Sequence, residues 1–310
     1  MKNTEPLVSI IIITYNSSKY VIETLESAKN QTYKNIELII SDDCSTDNTI
    51  KICEDWLKKN KYRFIRTNII TTEKNTGIPA NCNRGLKDAK GKWIKYIAGD
   101  DFLINNAIEL YLNYIKLNDN VKFLHANIKV FGNNLSKDNQ LKYSDSVKYL
   151  FNQDGISAQK QFQILLRINP VFAPTTFIKR SLFLKYGSFE EKFKLWEDRP
   201  MWLKFTKNGV KLHYMDIITV NYRKSEDSIQ VKKDITKIYS EFSILIDGYM
   251  MDYKNYLGFF ERNLKFLEYK RKFYLNKFGL NNKAFFPRVI NSVSGYYSTR
   301  HIAFINRKYR

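Results

Sequence analysis

The sequence predicts an α/β fold: a Rossmann-like, mostly parallel sheet flanked by helices, with a helical C-terminal extension. Three observations carry that expectation. Val8-Ser9-Ile10-Ile11-Ile12-Ile13 is an unbroken, largely β-branched run, the composition of a strand buried on both faces and so central in a parallel sheet. Strand-like and helix-like stretches then alternate as β-α-β-α-β-α-β through residue 97, the order of a doubly wound sheet. Two of the apolar runs are followed by paired acids, Asp42-Asp43 and Asp100-Asp101. A strand ending in acids places them at the carboxyl edge of the sheet, where ligands bind in open α/β folds.

The elements follow in order. After the first strand, Thr14-Tyr15-Asn16-Ser17-Ser18 is a polar turn, and Tyr20, Val21, Leu25 and Ala28 have helical spacing over 19–29. Ile36 to Ile40 is the second strand. Asp47 is a good N-cap for the next helix, whose apolar face is Ile50, Cys53 and Leu57. A third strand is expected over Asn68 to Thr72, a helix near 78–89 and a fourth strand over 92–97. Helical spacing returns at Ile104, Ile108, Leu112 and Ile115, and Val121 to Val130 reads as one or two strands. Residues 132–155 are polar and read as a mobile loop able to close over a ligand. A helix over 156–169, a short strand over Pro174 to Ile178, a turn of helix ending at Gly187 and a last strand over Lys211 to Val220 complete the pattern.

Composition narrows the class. The chain has 310 residues, 44% of them hydrophobic, which supports a packed core and argues against disorder. No apolar run approaches the roughly 20 residues of a membrane span, and the start lacks a signal-peptide pattern, so a cytoplasmic protein is expected. Cys44, Cys53 and Cys82 are odd in number and fit no zinc spacing; reduced thiols are the default. The net charge of +20 disfavours basic partners and points to phosphate-rich or anionic ones. Residues 231–310 carry 16 Lys/Arg against 6 Asp/Glu, together with 18 aromatics. That mixture suits a membrane interface, a single-stranded nucleic-acid groove, or a helical subdomain with an aromatic core and solvated lysines. Two domains are expected, 1–228 and 229–310.

Chemistry-bearing residues cluster at the strand ends. A GxGxxG fingerprint and a P-loop are both absent. The turns after the first two strands carry side-chain donors and acids instead, and Asp42 or Asp43 could accept from a base N–H or a ribose hydroxyl, or cap a helix. Asp100 and Asp101 are paired hard oxygen donors of the kind that hold Mg²⁺ or Mn²⁺ beside bound phosphates, or a solvated turn. Asp198, at a helix start with Pro200 near N1, is either an ionised base favoured by the helix dipole or a plain N-cap. His125, alone in a strand, reads as structural.

Taken together, Thr14-Tyr15-Asn16, Asp42-Asp43-Cys44-Ser45-Thr46-Asp47, Asn75-Thr76-Gly77, Asn83-Arg84-Gly85, Ala98-Gly99-Asp100-Asp101 and Trp196-Glu197-Asp198 resemble, in order and spacing, the motifs of family 2 glycosyltransferases. The resemblance covers about residues 6–228. It implies a GT-A fold, a nucleotide-sugar donor (UDP-sugar being the foremost candidate) and a divalent metal, Mn²⁺ or Mg²⁺. It implies Asp198 as catalytic base with Glu197 orienting the acceptor, and Asp101 with Asp100 as metal ligands. It implies a nucleotide pocket made by Thr14, Tyr15, Asn16, Asp42, Asp43, Asn75, Gly77, Asn83 and Asp100. Tyr222-Arg223-Lys224-Ser225-Glu226-Asp227-Ser228 resembles a further family segment, and Arg223 or Lys224 there could meet the diphosphate. Three positions depart from the pattern: Ala98 stands for the first Asp of Asp-x-Asp, Cys82 for an Arg, and Ser225 for a His that can ligate metal.

The expected reaction is sugar transfer with inversion onto a hydroxyl of a glycan or lipid-linked glycan, in bacterial surface-polysaccharide synthesis (capsule or lipopolysaccharide). The protein would be peripheral on the anionic inner membrane face. Alternatives are a metal-dependent nucleotidyltransferase, which would usually show a Gly-rich phosphate loop after the first strand, and a non-catalytic binder of nucleic acid or another polyanion, whose affinity would fall steeply with salt.

Overall fold

The computed structural model describes residues 5–132, 151–153, 155–224 and 240–281. The expected loop over 132–155 and the Ser225 segment therefore lie largely outside the described residues. The chain divides into two compact units, one ending at Lys224 and the other starting at Ser225.

The first unit is built on one eight-stranded mixed sheet in the order β3-β2-β1-β4-β7-β6-β8-β5. Its nucleus is four parallel strands: β1 (Val8–Thr14), β2 (Ile36–Asp42), β3 (Arg66–Ile70) and β4 (Trp93–Ala98). The helices α1 (Val21–Lys29), α2 (Thr49–Asn60) and α3 (Ile78–Asp88) make the crossovers, as parallel pairing requires. Ile10, Ile11, Ile12, Leu38 and Ile39 are wholly buried, which explains why β1 and β2 read as continuous apolar runs. Gly85 on α3 exists for packing: a Cβ there would lie 2.4 Å from Ile11 Cγ2, so only glycine lets the helix approach β1.

Beyond β4 the sheet changes character. The two-residue β5 (Phe102–Leu103), β6 (Phe123–Phe131), β7 (Phe177–Lys179) and β8 (His213–Arg223) extend it. β4–β7, β6–β7 and β5–β8 pair antiparallel, whereas β6–β8 is parallel with register shifts near Asn127. Helices α4 (Ala107–Leu117), α5 (Ala158–Leu165), α6 (Arg180–Tyr186) and α7 (Asp198–Lys207) pack around this half. Several boundaries differ from the sequence reading. The third strand starts two residues early, at Arg66. The helix expected from 104 starts at Ala107, because β5 and its turn occupy the chain before it. Pro174 lies in a 3-10 turn, Ala173–Thr175, rather than in β7. The α2 helix starts at Thr49, and Asp47 Oδ1 accepts from the Thr49 N–H at 2.9 Å and its hydroxyl at 2.5 Å.

The second unit contributes α8 (Glu241–Met250), a 3-10 segment (Met251–Tyr256) and α9 (Phe259–Lys277).

Candidate active site

The carboxyl ends of β1, β2 and β4 meet in one set of turns. Thr14 ends β1 in register with Asp42, and its hydroxyl donates to Asp42 Oδ2 at 2.7 Å. Ser45 donates both its N–H and its hydroxyl to the same carboxylate. Asp42 is thus buried and fully engaged in shaping the turn. Asn16, in the left-handed region at φ 49, accepts from Thr46 N–H and donates its own N–H to Ser45 Oγ, locking the first turn to the second. Tyr15 is left 46% exposed on top of them.

Asp43 anchors the next layer. It accepts from Thr76 N–H and hydroxyl, Gly77 N–H at 2.7 Å and Arg84 Nη2 at 2.7 Å. Burial pushes its carboxyl up, but these hydrogen bonds, with Thr76 and Arg84 foremost, prevail and hold it below the usual carboxylate range. Gly77 has φ +94, and a Cβ there would sit 2.5 Å from the Lys194 carbonyl oxygen. The Asn75–Gly77 loop, with Asn75 exposed, is in this way pressed against the chain that leads to Glu197. Asn83 fastens the same connection: it donates to the Phe189 carbonyl at 2.9 Å and accepts from the Phe189 N–H at 3.0 Å. Its amide is taken up by this clamp.

The Asp100-Asp101 turn follows β4. Gly99 allows it, since a Cβ there would lie 2.8 Å from Thr14 Cγ2. Asp101 Oδ1 accepts from the Arg223 N–H at 2.8 Å, whereas Asp101 Oδ2 is buried and has no partner among the described residues. Burial pushes the Asp101 carboxyl well up, the Asp100 charge adds to this, and burial raises Asp100 as well. Arg223 braces the turn. It donates to the Asp100 carbonyl at 3.0 Å and to Glu23 at 2.7 Å, and its guanidinium lies 4.1 Å from the Tyr20 ring centroid and 4.5 Å from that of Phe131. The side chain expected at the diphosphate is held inside the protein by these contacts.

A cation fits here on the chemistry of the donor set. An orphaned carboxylate oxygen beside a second acid, both destabilised as charges by burial, are hard donors that a divalent ion would satisfy. Among the described residues no cluster of three or more His, Cys, Asp or Glu could hold a metal. Mg²⁺-type sites commonly use one or two carboxylates and take the rest from water and phosphates.

The second acidic pair opens α7. Asp198 Oδ1 accepts from Arg199 N–H and Oδ2 from Asn169 Nδ2, each at 2.6 Å. Both acids are half-buried. Burial pushes the Glu197 carboxyl up to about 8, with the Asp198 charge adding to it, and burial raises Asp198 too. Tyr222 links the pairs: burial first, then the charges of Asp101, Asp100 and Glu197, pushes its phenol to about 12.

Arg84, Asn169, Tyr222 and Lys95 were not legible as site residues. Lys95 sits mid-β4, wholly buried, donating to the carbonyls of Tyr96 at 3.1 Å, Thr176 at 3.5 Å and Pro174. His125 is buried, and burial pushes its imidazole down to about 3, consistent with a neutral core residue.

Residues 9–187 match the family described as Glycosyl transferase family 2. The chain belongs to this family. Membership decides for glycosyl over nucleotidyl transfer, and the matched segment holds every strand-end motif through Asp100-Asp101. Among family relatives, an uncharacterised glycosyltransferase of Haemophilus influenzae is 38% identical over 122 residues, 39% of this chain and 47% of the relative. The Escherichia coli UDP-Glc:alpha-D-GlcNAc-diphosphoundecaprenol beta-1,3-glucosyltransferase WfaP is 29% identical over 232 residues, 73% of this chain and 81% of WfaP. The chain thus spans about half the length of the first of these relatives. Among solved structures, S. aureus TarS with UDP-GlcNAc superposes with a TM-score of 0.62 at 20% identity, covering 85% of this chain and 71% of that one. The mannosyltransferase PcManGT from Pyrobaculum calidifontis with GDP-Man and Mn²⁺ gives 0.54 at 14% identity, covering 82% and 64%. At such identities these likenesses establish the fold, which is GT-A-like.

Proposed function

We propose that this chain is a metal-dependent, inverting glycosyltransferase. It would move a hexosyl or N-acetylhexosaminyl group from a UDP-sugar to a hydroxyl of a lipid-linked glycan, in the synthesis of a bacterial surface polysaccharide such as capsule or lipopolysaccharide. The observation that carries this is the Asp101 carboxylate at the turn after β4, whose buried Oδ2 has no partner among the described residues, beside Asp100. TarS binds UDP-GlcNAc and WfaP is named for a diphosphoundecaprenol-linked acceptor, which supports the choice of donor and acceptor classes.

The nucleoside rests against Thr14, Tyr15 and Asn16, over the turns that Asp42 and Asp43 hold, with the exposed Asn75 at the rim and the buried Gly77 shaping its loop. Asn83 and Arg223 act from behind, fixing the walls. Asp101 and Asp100 would hold Mn²⁺ or Mg²⁺, which would offset charge developing on the diphosphate leaving group. Asp198 accepts the proton of the acceptor hydroxyl as that oxygen attacks the anomeric carbon from the side opposite the diphosphate. One displacement inverts the centre. Such base assistance contributes typically ~10²–10⁴-fold. Asn169 and the Arg199 N–H orient the Asp198 carboxylate, while Glu197, with its raised carboxyl, keeps a proton near neutrality and can donate it in a hydrogen bond to the acceptor. The carboxyl groups of both acids are raised toward the working pH, the range in which a base is most effective.

The test is a thermal-shift and hydrolysis screen of nucleotide sugars with Mn²⁺ on wild type and Asp101→Ala. A UDP-sugar that raises the melting point and slowly releases UDP, with both effects lost in the variant, supports the reading. No shift with any nucleotide sugar and any divalent ion overturns it.

A further inference from the structure

The amino edge of the sheet carries a concavity of about 630 Å³, within the size range of small-molecule sites, roughly 300–1,000 Å³. Leu7, Asn35 and Lys92 line it and immediately precede β1, β2 and β4. It therefore lies at the opposite end of these strands from the Asp42-Asp43 and Asp100-Asp101 turns. β7 runs antiparallel to β4, and its last residue, Lys179, pairs with Trp93 at the start of β4, which brings Lys179 and Arg180 to the same edge. The lining is strongly basic: Lys90, Lys92, Lys179 and Arg180 are joined there by a single acid, Glu5.

The walls are fixed from behind. Glu37 is wholly buried, and its Oε1 accepts from the Lys90 N–H at 2.6 Å, the Gly91 N–H at 2.8 Å and the Ser9 hydroxyl at 2.6 Å. A Cβ at Gly91 would lie 2.4 Å from Ser9 Oγ, so the 90–92 turn is seated directly on β1. Arg180 ties the other wall to it, donating from Nη1 to the Ala89 carbonyl at 3.1 Å and from its N–H to the Lys92 carbonyl at 2.9 Å. The cations gathered in this way are not neutralised from within. Both Asp88 oxygens accept from Arg66 at 2.6 Å, and among the described residues Lys90, Lys92 and Lys179 form no ion pair. A rigid cleft lined by one sign of charge concentrates counter-ions of the other.

We infer that this basic concavity binds a soluble small molecule carrying two linked phosphoryl groups. One phosphoryl group carries about −1.5 to −2 charges near neutrality, so a pair matches four cations and one acid. Lysine offers compact ammonium donors and Arg180 a planar fork, and both suit phosphate oxygens. Leu184, 74% exposed, stands with Pro6 and Leu7 on the same lining, which gives the organic part of a phosphate ester an apolar wall. A concave site of this volume holds a small anion, whereas a nucleic-acid strand or a bilayer needs an extended surface. Set at the opposite edge of the sheet, the site is separate from the proposed donor pocket and does not depend on it.

The test is calorimetric titration of the full chain with inorganic pyrophosphate, in chelator and at low salt, with orthophosphate as comparator. Wild type is expected to bind pyrophosphate more tightly than orthophosphate, and rising salt should weaken the binding. Lys92→Gln with Lys179→Gln is expected to raise the Kd about ten-fold or more, as loss of two charge-assisted contacts requires. Lys61→Gln with Lys116→Gln removes the same charge at exposed positions outside the concavity and should leave the Kd within about two-fold of wild type, the small effect expected of screened, distant charges. Asp101→Ala should bind as wild type, which separates this site from the proposed metal turn and keeps its test apart from that of the glycosyltransferase reading. Melting curves on every variant exclude unfolding as the cause of a loss. Absence of pyrophosphate binding, an equal loss in the Lys61 and Lys116 variant, or loss in Asp101→Ala would each overturn the inference. So would single-stranded DNA or phosphatidylglycerol vesicles that bind more tightly than pyrophosphate through Lys92 and Lys179, since the cations would then serve an extended polyanion.

Discussion

Replacing Lys95 by methionine tests how β4 carries a buried ammonium. Burial pushes the Lys95 amine down from 10.5 to about 7, while the Asp101 charge acts in the opposite direction. The unfolded chain would therefore keep its proton to about pH 10.5, whereas the folded chain loses it near pH 7. Between those values the unfolded state binds more protons, so stability must rise with pH. Below about pH 7 both states are protonated and the penalty is constant; above about 10.5 both are neutral and it vanishes. From pH 7 to 9.5 the integrated gain is about 3 kcal/mol, at ~1.36 kcal/mol per unit.

Methionine fills the space of the lysine stem but cannot titrate. It also leaves the Pro174, Thr176 and Tyr96 carbonyls without this donor, a cost of about 1–3 kcal/mol for a buried acceptor left unmade. That cost does not vary with pH, so the prediction lies in the slope. Urea denaturation of wild type and Lys95→Met at pH 7, 8 and 9.5 should show wild type gaining about 3 kcal/mol on the variant across the series. Parallel curves would refute the reasoning, since they would mean that Lys95 keeps its charge in the fold throughout. Asp101→Asn adds a second arm. Without the Asp101 charge the Lys95 amine should fall further, and the rise in stability should begin at lower pH.

Further outcomes follow from the same geometry. Asp101→Asn should abolish metal-dependent turnover while leaving the metal-free protein at least as stable as wild type near neutrality, because a buried, destabilised charge is removed and Oδ1 can still accept from Arg223; melting temperature and UDP release on one preparation check both. Asn169→Ala removes a hydrogen bond that lowers the raised Asp198 carboxyl, so the acid limb of the kcat/KM profile, where activity falls with falling pH, should move to higher pH; an unmoved limb would count against Asp198 as base. Gly77→Ala should destabilise the first unit by about 1–3 kcal/mol or more, from positive φ alone before the clash with Lys194 is added, and raise the donor KM; denaturation and donor titration read the two effects.

What the sequence made legible is what local pattern determines. Val8–Ile13 and Ile36–Ile40 are buried on both faces, and such strands cannot be anything but central in a parallel sheet. Acids that follow them must then fall at the carboxyl edge. The antiparallel half was harder to read. β5 is two residues long, and β7 is three residues beside a 3-10 turn. Elements that short have too few positions to show a period, and their pairing is set by distant partners such as Asn221 and Lys95. The burial of Lys95 within β4 has a related cause: three carbonyls from β4 and the 174–176 turn converge on its ammonium, and no local pattern encodes that convergence.

The site shows the same division between position and partnership. Asp42, Asp43, Asp100, Asp101, Glu197 and Asp198 were singled out as acids, but the sequence could not say which carboxylates are already satisfied. Asp42 and Asp43 receive donors on both oxygens; Asp101 receives one on Oδ1 and none on Oδ2. A saturated carboxylate holds a turn, whereas an unsaturated buried one keeps an oxygen open, so the same residue type is used differently at the ends of β2 and β4. The partners that decide between these outcomes come from far along the chain: Arg84 lies 41 residues from Asp43, and Arg223 lies 122 from Asp101. Arg223 shows the consequence most clearly. Placed by motif it is a candidate for the diphosphate, yet its backbone N–H caps Asp101 and its guanidinium is held between Tyr20 and Phe131 while bonded to Glu23 and the Asp100 carbonyl. Its charge therefore acts on the Asp100-Asp101 turn from behind, through electrostatics that no spacing rule encodes.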